Sequence, residues 1–277
     1  VIVRKKIAGW VLAVTAAGLA GQAHADHAVG DAAPGAQAEQ ALSGMEILML
    51  AQSAAGGPVW ISPQSLTLSG RAIFYAEQGA EPRAVADNYR MWREFDQNRT
   101  AAHTAQGKVR IRALTGKEVM FEVGFDGDTT WNEKGVIPKE QADAYWANSF
   151  GFGIIRQAGK PGFSAKRRAD DQVAGFPAFM VELRDPGGSV TLFGVDRKDF
   201  KIRLVGFTTP KGWHHRIYRD FIRLEPSGWV QPRHVSLYYN GRKSNEVFWK
   251  DVAINEPIDP SVFTQPQPKL TPVQSAE

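Results

Sequence analysis

GWHHRIYRDFIRLEPSGWVQPRHVSLYYN, residues 212–240, decides the fold. Aromatic and β-branched residues run up to the turn formers Glu225, Pro226, Ser227 and Gly228 and resume beyond them, which predicts two long antiparallel strands. Successive strand side chains point to opposite faces, so His214, Arg216, Tyr218 and Asp220 share one face, and Ile217, Arg219, Phe221 and Arg223 the other. Charged and aromatic groups on both faces cannot all lie against a dry core without partners. One face of this strand is therefore expected to border a solvent-accessible cavity. On the following strand, His234, Ser236 and Tyr238 are candidates to stand opposite the row.

Strands of the same kind fill most of the chain. Upstream they are read at residues 65–75, 88–95, 108–114 and 117–125, with Trp131 opening another after the Asp126-Gly127-Asp128 turn. Downstream they are read at 162–168, 177–184, 190–196, 201–207, 213–225, 229–239 and 245–254. In 108–125 the pattern is half wet: Val109, Ile111, Ala113, Phe121, Val123 and Phe125 alternate with Lys108, Arg110, Arg112, Glu118 and Glu122. Two helices interrupt the series. One is expected over 39–54, with Leu42, Met45, Leu48, Met49 and Gln52 on its stripe, ended by Gly56-Gly57-Pro58. The other begins at Pro138 and places Ala142, Tyr145, Trp146 and Ser149 close to one face. Gly151 and Gly153 weaken its continuation, so Phe150, Phe152, Ile154 and Ile155 form an apolar segment that could cap a cavity mouth. The fold class is α+β: a single open, strongly curved antiparallel sheet, a half-barrel of about eleven strands, wrapped around two or three helices.

Arg4, Lys5 and Lys6 precede the apolar run 7–19, and Ala23-His24-Ala25 offers a small-residue cleavage site. Residues 1–25 are expected to be a signal peptide cleaved after Ala25, residues 26–38 a disordered leader, 39–265 the half-barrel and 266–277 a polar tail. The run is too short to span a bilayer core of about 30 Å. The expected location is the periplasm, without stable membrane insertion. The chain has no cysteine, which excludes disulfides, thiolate chemistry and a lipid-modified cysteine after the leader. Its net charge is +4, from 33 basic and 29 acidic residues; three of the basic ones stand in the leader, so the remainder is near +1 and no basic block supports nucleic-acid binding.

The order of elements resembles the LolA-like family of outer-membrane lipoprotein-sorting proteins. The residues that carry the resemblance are Phe125-Asp126-Gly127 with Trp131, the run 173–179, Gly228-Trp229-Val230-Gln231-Pro232, and Asn255-Glu256-Pro257-Ile258-Asp259 with Phe263. The resemblance implies an unclosed barrel around helices and an apolar hollow, several members of the family being carriers of acyl chains. It makes the first functional expectation a carrier of a lipid or other hydrophobic ligand, with an envelope protein partner left open.

Chemistry is sparse. No metal-ligand spacing, phosphate-binding glycine loop, nucleophile elbow or dinucleotide fingerprint is present, so no metal and no cofactor is expected. The candidate ligand-binding residues are Phe121, Trp131, Tyr145, Trp146, Phe150, Phe152, Trp213, Trp229, His234 and Tyr238. The alternative is a cofactor-independent lyase, of acid-base elimination or retro-aldol type, acting on an aromatic small molecule. In it His214, Arg216, Tyr218 and Asp220 would be catalytic, about 7 Å apart at each step along one strand face. Against it stands a plain cross-strand ladder of charged and aromatic pairs.

Overall fold

The computed structural model describes residues 42–76, 81–147 and 152–266. The expected signal peptide, the leader and all but the first residue of the tail lie outside them. Helix α1 (Gly44–Ala54) opens on a reciprocal cap: the backbone N–H of Ser43 donates to Glu46 Oε2 at 2.7 Å and that of Glu46 to Ser43 Oγ at 3.3 Å. Its buried stripe is Gly44, Ile47, Leu48, Ala51 and Gln52, so the expected stripe was rotated too far. Met49 is 53% exposed and forms no part of a ligand wall. Pro58, expected only to end α1, starts a second, one-turn helix, α2 (Pro58–Ile61), which buries Trp60. The third, α3 (Lys139–Ala147), lies close to its expected place and buries Ala142 and Trp146.

The strands are β1 (Ser65–Tyr75), β2 (Pro82–Glu94), β3 (Lys108–Thr115), β4 (Glu118–Phe125), β5 (Thr130–Asn132), β6 (Gly135–Val136), β7 (Ser164–Arg167), β8 (Asp171–Val173), β9 (Phe176–Arg184), β10 (Val190–Asp196), β11 (Ile202–Thr209), β12 (Gly212–Arg223), β13 (Val230–Tyr239) and β14 (Arg242–Ile254). They make one sheet in the order β6-β5-β4-β3-β2-β1-β14-β13-β12-β11-β10-β9-β7, with β8 also on β9. Every pairing is antiparallel. β1–β6 step outward one way, β7–β14 return from the other, and β1 meets β14 in the middle. The chain therefore passes from one unpaired rim, β6, to the other, β7, and that crossing carries α3 and the 3-10 turn Phe152–Gln157. The helices lie on one face because this connection and the N-terminal segment both cross it.

That inner face holds the main core. Leu66, Leu68, Val181, Phe193, Val205, Phe207, Val235 and Val247 meet Ile47, Leu48 and Ala51 of α1, Trp60 of α2, and Ile154 and Ile155 of the 3-10 turn. Each large side chain so buried contributes about 1.5–3 kcal/mol. A smaller cluster, Val109, Val123, Ala142 and Trp146, seats α3 on β3 and β4. The indole N–H of Trp146 donates to Thr130 Oγ1 at 2.8 Å, which fixes the helix against the rim.

The outer face of β3 and β4 carries the charged half of the expected alternation, paired across strands: Arg110 and Arg112 lie 2.7 and 3.3 Å from Glu122, and Lys108 lies 2.9 Å from Glu94. Trp131 also sits there. Its indole lies over Gly124, where an added Cβ would come within 2.2 Å of the ring, and its N–H donates to Phe263 O at 2.8 Å. The 3-10 turn Pro260–Phe263 thereby seals the outside of this rim.

Candidate functional site

The site begins with the register of β12. His214 pairs with Tyr239, Arg216 with Leu237 and Tyr218 with Val235. Cross-strand partners share a face, so Tyr239, Leu237 and Val235 join the row on the inner side. His234, Ser236 and Tyr238 face the other way, which corrects the expectation that they stand opposite it. Asp220 also leaves the row. Its φ of 51° is left-handed, the residue is exposed, and its carboxylate pairs with Arg233 at 3.0 Å.

His214 is fully buried between Phe207 and Tyr239, with ring centroids at 5.2 and 4.4 Å. Its Nδ1 lies 3.0 Å from Tyr238 O, and its Nε2 accepts from Arg216 Nε at 3.1 Å. One nitrogen must therefore carry the proton and the other the lone pair. Burial first, then the Arg216 charge, pushes its pKa down to about 3. Burial pushes the Tyr218 hydroxyl up, against the pull of Arg216, which hydrogen-bonds it. The row thus holds a neutral imidazole with its lone pair engaged, a cation and a protonated phenol. The lone pair of His214 is thus spent on Arg216 and not turned toward the inner side.

Around Arg216 the inner wall is aromatic. Tyr89 lies 5.4 Å from Trp249, 6.3 Å from Phe121 and 6.4 Å from Phe74, and Phe74 meets Phe121 edge-on at 5.7 Å. Tyr145 of α3 is 38% exposed and senses Tyr89 on β2, Tyr239 on β13 and Arg216 on β12. One side chain near strands that lie several places apart in the sheet requires that sheet to curl around it. Burial pushes the hydroxyl of Tyr89 up to about 12 and that of Tyr145 higher still, yet both rings retain accessible surface. Both side chains therefore stand on the concave side of the sheet, partly covered by the strands that curl around them.

The expected ligand residues divide accordingly. Phe121 and Tyr145 stand on the aromatic inner side. Trp146 is fixed in the packing of α3, and Trp229 is 2% exposed, with its ring 6.4 Å from that of Trp60. Trp131, Trp213, His234 and Tyr238 are on the outer face, away from these aromatic residues. Trp213 lies over Gly206, and His215 stacks on Tyr238 at 4.7 Å. Phe150 lies outside the described residues, as does the side chain of Phe152. Sequence reasoning missed Phe74, Tyr89, Tyr239 and Trp249 because half of each pairing was unknown. It also missed Arg93 on β2, and Arg99 and Arg156, whose positions come from a loop and a 3-10 turn without periodicity.

On the outer face Glu246 gathers Tyr75 Oη at 2.5 Å, Lys243 Nζ at 3.0 Å and His234 Nε2 at 3.1 Å. Burial acts to raise its pKa, but these hydrogen bonds bring it down to about 2. Ser236 Oγ lies 3.4 Å from the same Nε2. A catalytic triad needs serine and carboxylate on opposite imidazole nitrogens, so this cluster is a brace between β1, β13 and β14.

No model of a known protein family matches the sequence, and no curated protein matches it. Solved structures do. An outer-membrane lipoprotein-sorting protein domain from Vibrio parahaemolyticus aligns at 12% identity over 79% of this chain and 95% of its own, with a TM-score of 0.51. A LolA superfamily protein from Nitrosomonas europaea aligns at 13% identity over 81% and 99%, with a TM-score of 0.50. A DUF1329 family protein from Desulfovibrio piger aligns at 8% identity over 80% and 95%, with a TM-score of 0.53. Identities this low speak for architecture alone. In its open, curled antiparallel sheet and the helices that it holds, the chain has a LolA-like fold.

Proposed function

We propose that the protein is a periplasmic carrier that holds a lipid or other hydrophobic ligand on the inner side of its sheet. The observation that carries this reading is the half-covered aromatic wall of Phe74, Tyr89, Phe121, Tyr145, Tyr239 and Trp249 on the inner side of the sheet. Well-packed interiors leave few voids larger than a water molecule, so large apolar side chains kept half bare inside a fold favour a guest. The lipoprotein-sorting name of a structural neighbour adds weight to an acyl-chain ligand, and the leader at residues 1–25 to an envelope location. Native mass spectrometry of protein expressed with its leader and purified without detergent tests the reading. A co-purifying lipid is the expected result; an empty protein that also refuses acyl probes would sink it. Phe121→Asp, which sets a charge in the wall, is expected to abolish uptake with the far-ultraviolet circular dichroism unchanged.

A further inference from the structure

The inner wall is made of rings that hold one another. β1 carries only Gly70 between Tyr89 on β2 and Trp249 on β14, its partners on either side. With no side chain between them, the two rings meet over the bare backbone at 5.4 Å, 31° from parallel. Phe121 stands edge-on to Tyr89 at 6.3 Å and to Phe74 at 5.7 Å, and Phe74 edge-on to Tyr89 at 6.4 Å. An aromatic side chain has few rotatable bonds, and each of these rings is braced by at least one other, so the surface is set before a guest arrives. Leu and Met, which re-pack around varied shapes, suit flexible chains better. A long alkyl chain must also give up its own torsional freedom against a wall that does not yield, whereas a rigid plate has none to lose.

The wall also has a polar part. Tyr239 on β13 stacks against the buried ring of His214 at 4.4 Å, and Tyr145 on α3 lies near enough to Tyr89 and Tyr239 to sense both. All three hydroxyls feel the charge of Arg216 on β12, so they gather in one neighbourhood. Burial keeps the hydroxyls of Tyr89 and Tyr239 protonated, and neither donates to a protein group among the described residues. Both side chains keep accessible surface. An oxygen acceptor on a guest would find its donors there.

We propose that this wall takes a flat, fused-ring compound bearing one hydroxyl or carbonyl oxygen, its ring plane against Trp249, Tyr89 and Phe121 and its oxygen accepting from Tyr89 or Tyr239. The proposal rests on the carrier reading and narrows its ligand from any hydrophobic molecule to a rigid one.

Titration of the lipid-stripped full chain with three probes tests it: hydroxypyrene, a flat plate with one hydroxyl; pyrene, the same plate without it; and decanol, a flexible alcohol that partitions into oil about as readily as hydroxypyrene. The two pyrenes are read by energy transfer from tryptophan, and decanol by calorimetry. Hydroxypyrene should bind about ten-fold more tightly than decanol and a few-fold more tightly than pyrene. Tyr89→Phe with Tyr239→Phe should bring hydroxypyrene and pyrene to the same affinity, and Trp249→Leu should narrow the gap between hydroxypyrene and decanol. Mere loss of folding would weaken all three probes alike. Decanol binding the unaltered protein as tightly as hydroxypyrene would overturn the flat ligand and leave the carrier reading standing. Pyrene binding it as tightly as hydroxypyrene would overturn the part given to the tyrosine hydroxyls. If none of the three binds, the carrier reading falls, and this proposal with it.

Discussion

At His214, burial and charge act on a group whose ordinary pKa lies near neutral pH. Its folded pKa of about 3 lies below the ordinary 6.5, so the native state prefers it neutral. That preference stabilises the fold above pH 6.5 and is lost as the pH falls from 6.5 toward 3, because the unfolded chain takes up the proton first. The loss reaches about 1.4 kcal/mol per pH unit. Burial lowers His103 and His215 as well, and they add in the same direction. Glu246, at about 2 against 4.5, contributes fully above pH 4.5 and adds to the loss only below it. The urea midpoint should therefore fall between pH 7 and pH 5, and His214→Gln, which keeps an acceptor for Arg216, should flatten most of that slope. An unaltered slope in the variant would mean that His214 titrates as in free solution. Asp220 is a second residue with a definite consequence. Its left-handed backbone tolerates Asp or Asn but not a β-branched side chain, so Asp220→Val should cost about 1–2 kcal/mol and Asp220→Asn little, read as shifts in the denaturant midpoint.

Among the elements, the outer staple of Trp131 and the turn Pro260–Phe263 is the simplest to test. Trp131→Ala should cost about 3–5 kcal/mol in chemical denaturation, as large-to-small core changes do, and leave affinity for an acyl probe unaltered in the folded fraction. A selective loss of affinity would put Trp131 in the ligand wall after all. The strands themselves could be read because alternation is local. β3 and β4 lie nearly where the alternation of Val109, Ile111, Val123 and Phe125 against Arg110, Arg112 and Glu122 puts them. Facing, too, is legible in the sequence of the β12–β13 hairpin. Counting outward from the turn at Glu225 to Gly228 pairs His214 with Tyr239, which already sets Tyr238 and His234 on the opposite side. Other features had no local signal. The left-handed turn at Asp220 breaks alternation without a glycine to announce it. Arg99 and Arg156 come together through a loop and a 3-10 turn, and only the tertiary fold brings them beside Gly153.

For the molecule as a whole, a guest in the hollow acts as a ligand of the native state alone. A saturating acyl probe at about 100 times its dissociation constant should raise unfolding stability by about 2.7 kcal/mol, seen as a higher urea midpoint that depends on probe concentration. A midpoint indifferent to the probe would mean that the folded protein takes none. Topology adds one more consequence. A cylinder whose last strand met its first could admit a bulky guest through its side only by unzipping a full ladder of amide bonds. Here Gly135–Val136 and Ser164–Arg167 finish the sheet without sharing a seam, so the walls can gape and draw together again while every ladder between neighbouring strands stays whole.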